Sequence, residues 1–172
     1  MEKLVELLPV EESDLPILYR LDSDPDATGD YEWFGWQDRW RYARRWEQNG
    51  MLDEDGGVLM VQRQGQALGF VAWSKRQTAR TSFCWNMGIA LLPEARGRGY
   101  GTDAQRQLVR YLFAHTQVNR IEAGTNVANI AEQRALEKAG FTREGIMRGA
   151  GFQGGRWQDG VTYSVLRAEV EL

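Results

Sequence analysis

An apolar run leads into Leu91-Leu92-Pro93-Glu94-Ala95-Arg96-Gly97-Arg98-Gly99-Tyr100-Gly101-Thr102, and a stretch with helical periodicity follows it. Three glycines at alternate positions let the backbone turn sharply and bring successive N–H groups to a ligand with no Cβ in the way. The helix start adds a partial positive charge, and Arg96 and Arg98 add full ones. Such a set of groups binds phosphate, a plain glycine-rich turn being the alternative. The Gly-Lys-Ser/Thr ending of a Walker loop is absent. A dinucleotide fingerprint fits Gly97 and Gly99 and finds Glu122 at ribose distance, but its third glycine falls on Thr102. Residues 93–96 also separate strand from turn, and the hairpin-like strands upstream leave no second mononucleotide half.

Proton transfer must fall to other groups. The single cysteine, Cys84, excludes an internal disulfide and a cysteine-rich zinc site, and the single histidine, His115, argues against a His-based metal site. His115 ends a helix, where it compensates the dipole, and nothing activates Cys84 as a nucleophile. The expectation is a site without metal, run on carboxylates, hydroxyls, backbone dipoles or a bound co-substrate. Glu122 lies in a strand-like stretch and has two readings, a general base or the partner of a neighbouring arginine.

Charge is divided along the chain. The net value is −3, yet residues 1–55 hold 15 of the 24 acids and 6 of the 21 bases, and the remainder is positive. Two ligands of opposite sign fit this division, as do two merely solvated faces. The low pI and the lack of a basic stripe interleaved with aromatics argue against nucleic acid. No apolar run reaches membrane-span length, and acids interrupt the short apolar N-terminal stretch, so the expectation is a cytoplasmic protein.

The elements that must position these groups make one domain of 172 residues, with 42% hydrophobic and 26% charged residues. Residues 3–8 read as a strand, and Ser13 and Asp14 cap a helix to about Leu21. Residues 22–30 are a loop rich in acids. Trp36, Trp40 and Ala43 follow helical spacing and predict a helix over 37–48. The aromatics Trp33, Trp36, Trp40 and Trp46 are either core or a ligand cage. Residues 58–62 and 67–75 form a hairpin across Gln64-Gly65-Gln66, and alternation over 82–92 marks a half-buried strand. A helix over 102–116, a strand over 120–125 and a helix over 131–139 closed by Gly140 follow. An antiparallel pair, 141–148 and 161–168, ends the chain across a glycine-rich stretch, 149–160, readable as a mobile lid or a long hairpin tip. The order is that of a mixed α/β sandwich with one strand–helix–strand crossover.

Arg96-x-x-Gly99-x-Gly101 after Pro93-Glu94 resembles the acyl-CoA loop of the GNAT superfamily of N-acetyltransferases. Arg120-Ile121-Glu122, Asn126, Asn129 and then residues 133–141 resemble its second signature. Trp157-x-Asp159 and Tyr163-Ser164-x-Leu166-Arg167 are similar to the C-terminus of the branch that acetylates ribosomal-protein N-termini. The resemblance implies an α+β GNAT fold, a mixed, mostly antiparallel sheet flanked by helices, with residues 1–57 on the acceptor side and 58–167 as the CoA-binding core. It implies that Ile89, Ala90 and Leu91 present backbone to the pantetheine arm, that the amides of Gly97, Arg98, Gly99, Tyr100, Gly101 and Thr102 hold the pyrophosphate, and that Asn129 contacts the CoA arm. Arg134 or Lys138 meets outer phosphates or forms surface pairs. Glu122 matches a base used in some members. The position of the tyrosine that often protonates the thiolate is Leu136 here, and the serine position of a related branch is Glu132, so the acid is unassigned. Asn86 stands where relatives carry an acidic strand residue and can orient water.

The implied activity is acetyl transfer from acetyl-CoA to a primary amine in a ternary complex. The acceptor is a protein or peptide N-terminus or a small-molecule amine, and a CoA-binding regulatory module without turnover is the rival class. Asp30, Glu32, Trp33 and Trp36 are the acceptor-side candidates, and the acidic loop predicts a cationic amine. Monomer and homodimer both remain open.

Overall fold

The computed structural model describes residues 3–172. Strand β1 (Glu6–Pro9) precedes three helices, α1 (Leu15–Ser23), α2 (Pro25–Thr28) and α3 (Arg41–Asn49). A short β2 (Leu52–Asp53) and the long strands β3 (Gly56–Arg63), β4 (Gln66–Ala79) and β5 (Ser82–Leu91) follow. Next come α4 (Tyr100–His115), β6 (Arg120–Asn126), α5 (Ile130–Ala139), β7 (Thr142–Gln153) and β8 (Arg156–Leu166). The sheet order is β1-β3-β4-β5-β6-β8-β7, with β2 paired to β3 off this path. Among the described residues every pairing is antiparallel except β5 with β6, the pair bridged by α4.

Alternation along the strands builds a core on each face. Leu59, Val61, Val71, Trp73, Trp85, Met87, Ile121 and Tyr163 point toward α4 and α5, which contribute Leu108, Leu112 and Leu136. Val58 and Met60 point the other way, against Leu18 of α1 and the partly buried Tyr42 and Trp46 of α3. The β3–β4 turn takes positive φ at Gln64 (50°) and Gly65 (75°), the geometry that matches strand twist in two-residue hairpins.

Three segments differ from their sequence reading. The acidic stretch 22–30 contains α2, because Asp24 accepts from the Asp26 N–H at 3.0 Å, Pro25 fits the first helical position and Gly29 (φ 86°) ends the turn. Helix α3 begins at Arg41 rather than 37, since Gly35 takes φ 103° and the Asp38 carboxylate accepts from the Trp40 N–H at 2.9 Å, making a turn of residues 38–41. The helical spacing of Trp36 and Trp40 is therefore not on a helix, and Trp36 is 78% and Trp40 60% exposed. The stretch 149–160 is mostly strand, with its turn at Gly154-Gly155, and Gln153 Nε2 donates to the Trp33 carbonyl at 3.0 Å. It is a long hairpin tip.

The parallel pair is short. Its register runs only over Trp85–Ile121, Asn86–Glu122 and Met87–Ala123, and beyond it β5 continues with β4 while β6 continues with β8. Residues 88–91 thus keep one strand edge free, at the point where the chain turns toward α4.

Candidate active site

That free edge lies in a cleft of about 1250 Å³, larger than a site for one drug-sized ligand. Ile89, Ala90, Leu91, Gly97, Gly99, Gly101 and Thr102 line one arm of it, with Asn129 and Arg134 nearby. Gly97 (φ 72°) and Gly99 (φ 81°) are left-handed, and a Cβ on Gly97 would meet no atom of the described residues within 4 Å. The cradle is open space shaped by backbone that side-chained residues resist. The first amides of α4 have no partner within their helix and are available to phosphate oxygens. This arm fits a CoA pyrophosphate.

Side chains around the cradle have other partners. Arg96 donates through Nε to the Leu91 carbonyl at 2.9 Å and through Nη2 to the carbonyls of Ala27 and Thr28. It ties the acceptor-side loop to the end of β5 and also lines the cleft beside Gly97. Arg98 and Tyr100 do not line the cleft. Tyr100 is buried with its hydroxyl on Arg63, so only its backbone serves the cradle. Asn129 caps α5, accepting from the Glu132 N–H at 3.3 Å and donating to Thr125 Oγ1 at 3.0 Å.

The other arm carries the carboxylates. Asp22, Asp30, Glu32 and Glu132 line it, together with Asn86, Ser74, Tyr42 and Phe70. Burial pushes the Glu32 carboxyl up. Burial also lifts Glu132 to about 7, against a lowering hydrogen bond from Gln105 and with a further push from the Glu32 charge. Two chain segments about a hundred residues apart therefore present carboxyl groups to each other, and one is balanced between its protonation states near neutral pH.

Glu122 is elsewhere. It is 7% exposed, lies outside the cleft lining, and accepts from Arg120 Nε at 2.8 Å and from Arg76. Arg120 continues to Glu144, which also accepts from Ser164 Oγ at 2.8 Å, making a charged chain across β4, β6, β7 and β8. Arg76 takes one carboxylate oxygen of Glu122 and Arg120 the other, and Glu122 lies off the cleft, so the geometry favours its arginine-partner reading. Trp33 and Trp36 also stand outside the lining, edge to face with ring centroids 5.2 Å apart.

Residues 5–142 match the family model described as the acetyltransferase (GNAT) domain. The chain belongs to the GNAT family. Among curated relatives, "Probable N-acetyltransferase YjcK" of Bacillus subtilis is 36% identical over 96 residues, 56% of this chain and 51% of that protein. The chain thus spans about half the length of the curated relatives it matches. Among solved structures, spermidine N-acetyltransferase from Vibrio cholerae, in complex with CoA and spermine, superposes with TM-score 0.83 at 20% identity, covering 98% of each chain. RimL, a ribosomal L7/L12 alpha-N-protein acetyltransferase in complex with CoA, superposes with TM-score 0.79 at 17% identity, covering 96% of this chain and 95% of its own. These likenesses establish the GNAT fold, an open mixed sheet of mostly antiparallel strands flanked by helices.

Within this GNAT fold, sequence reasoning missed two cleft features. Arg41 donates to Asp22 at 2.5 Å and to the Tyr42 hydroxyl at 2.9 Å, a cluster assembled by α1 and α3 that no local spacing reveals. Gln105 is 1% exposed and also lines the cleft. Its signal was present: it precedes Leu108, Val109, Leu112 and Phe113 at intervals of three, four, seven and eight, a polar residue on an apolar stripe.

Proposed function

We propose that the chain transfers the acetyl group of acetyl-CoA to a cationic primary amine, with Glu132 as general base. The observation that carries this reading is the single cleft that joins the glycine cradle and the free edge of β5 to a carboxyl balanced near neutral pH. Acetyl-CoA lies with its pyrophosphate on the amides of 97–102 and its pantetheine arm along Ile89, Ala90 and Leu91, completing the missing strand neighbour. The thioester carbonyl meets N–H groups of the free edge, which hold the oxyanion. Residues 58–167 supply this arm and residues 1–57 supply most of the acceptor side, as one domain.

An ammonium acceptor loses one proton to Glu132. The neutral nitrogen then attacks the carbonyl carbon, the C–S bond breaks, and the thiolate takes the second nitrogen proton. A thiolate is a good leaving group near neutral pH, so a dedicated side-chain acid is not required. Asn86 orients water or the incoming amine. Asp22, Asp30, Glu32 and Glu132 give the acceptor arm an excess of negative charge that favours a cation. The relative crystallised with spermine supports a polyamine-like acceptor, and the likeness to RimL supports a peptide N-terminus.

The test is release of free CoA thiol from acetyl-CoA with matched acceptors: spermidine, a basic peptide with a free N-terminus, and an anionic amine, each at two salt concentrations. The cationic acceptors should give the higher kcat/KM, by about tenfold or more at low salt. Preference for the anionic amine would overturn the cationic assignment. CoA binding without thiol release would leave a CoA-binding regulatory module.

A further inference from the structure

The amide of Gln105 lies in the seam between α4 and α5. Its Nε2 donates to Glu132 Oε1 at 2.5 Å, while its Oε1 is buried with no hydrogen-bond partner among the described residues. A buried carbonyl oxygen left alone is disfavoured, and an apolar side chain of the same length would fill this position on the α4 stripe without that penalty. The glutamine must therefore answer to Glu132.

We propose that Gln105 is a positioning residue for the transfer reaction, a two-position amide that donates to the Glu132 carboxylate and, after a half-turn about Cγ–Cδ, accepts from the Glu132 carboxylic acid. The two positions are nearly isosteric, and each leaves one amide atom without a partner, so the environment favours neither strongly. The proton on Glu132 decides. When the acceptor ammonium gives a proton to Glu132, the carboxyl gains an O–H and the carboxamide turns its oxygen to it. The second nitrogen proton goes to the thiolate, and Glu132 returns its own to water in the cleft as the amide turns back. Acetyl transfer then balances as one amide, one CoA thiol and one proton from one ammonium and one thioester.

The charged groups around this pair are few. Glu32 faces Glu132 from the loop before α3 and favours its protonated form. Arg134 and Lys138 of the same helix line the cleft. On α4, Asp103 is engaged with the backbone N–H groups of Leu4 and Val5, and Arg106 with the Lys138 carbonyl, so Gln105 is the contact from that helix.

This inference rests on Glu132 as base, and the experiment separates the two. Thiol release with acetyl-CoA and spermidine, or the basic peptide if it is faster, is followed from pH 5.5 to 8.5 for the wild type, Glu132→Gln, Gln105→Met and Gln105→Leu. Side-chain amide NMR signals of Gln105, identified by their loss in Gln105→Met, are titrated in parallel. The bond to the charged carboxylate is the stronger of the two, so losing both should still move the acid limb of kcat/KM upward by about 0.5 pH or more in Gln105→Met, with kcat on the plateau falling about threefold or more. The Gln105 signals should shift across that limb in the wild type and stop shifting in Glu132→Gln. Full kcat in Glu132→Gln would remove the base. An unmoved limb in a folded Gln105→Met or Gln105→Leu, or signals that still titrate in Glu132→Gln, would remove the positioning role while leaving the base in place.

Discussion

Glu122 and Glu132 illustrate how the same functional group acquires opposite uses. The first is held between two arginines, and the second is half-buried in the cleft wall beside another carboxyl. Glu132→Gln keeps shape and removes basicity, so kcat should fall about a hundredfold with CoA affinity retained, as single-turnover rates and calorimetry would record. In the wild type, Glu132 becomes protonated as pH falls through about 7, so kcat/KM should decline by about tenfold per pH unit below that point. Glu122→Gln should leave kcat within about threefold and lower the melting temperature by a few degrees, because Arg76 and Arg120 lose their shared acceptor. A large loss of kcat with unchanged melting would return the base to β6.

At the level of elements, the phosphate cradle was legible because glycine spacing is a backbone property. Positive φ at Gly97 and Gly99 is what alternate glycines before a helix encode. Gly99→Val should weaken CoA binding about tenfold or more in a folded protein, since a β-branched residue resists φ 81° and would move the amides of the cradle. The hairpin, the crossover and the Gly140 end of α5 were legible for the same local reason. The acceptor side was not. Tryptophan spacing mimicked a helix that Asp38 and Gly35 prevent, and Glu32 and Glu132 share the cleft although 100 residues separate them in sequence. Strand position alone also could not say that Glu122 would find Arg76, 46 residues away on β4. Local periodicity records which face a residue takes and leaves open who waits there.

Across the whole molecule, two carboxyls give stability opposite dependences on pH. The Arg120 guanidinium and the Ser164 hydroxyl hold Glu144 down to about 2, so its contribution is present above about 4.5 and lost as pH falls toward 2. Glu132 is raised, so the fold favours its protonated form, and that contribution is full below about 4.5 and lost as pH rises through 7. Urea midpoints should therefore fall on both sides of a mildly acidic maximum. Glu144→Gln should flatten the acid side, and Glu132→Gln the decline from 4.5 to 7. Because Glu144 is 40% exposed, its slope should be the shallower and should weaken in salt. Arg96, bonded to Leu91 on the wall of one arm and to Ala27 and Thr28 at the edge of the other, links the two arms directly. By linkage, whatever factor CoA imposes on acceptor affinity, the acceptor imposes on CoA. Arg96→Ala should bring that factor toward one in paired calorimetric titrations, so that two linked bindings become independent ones.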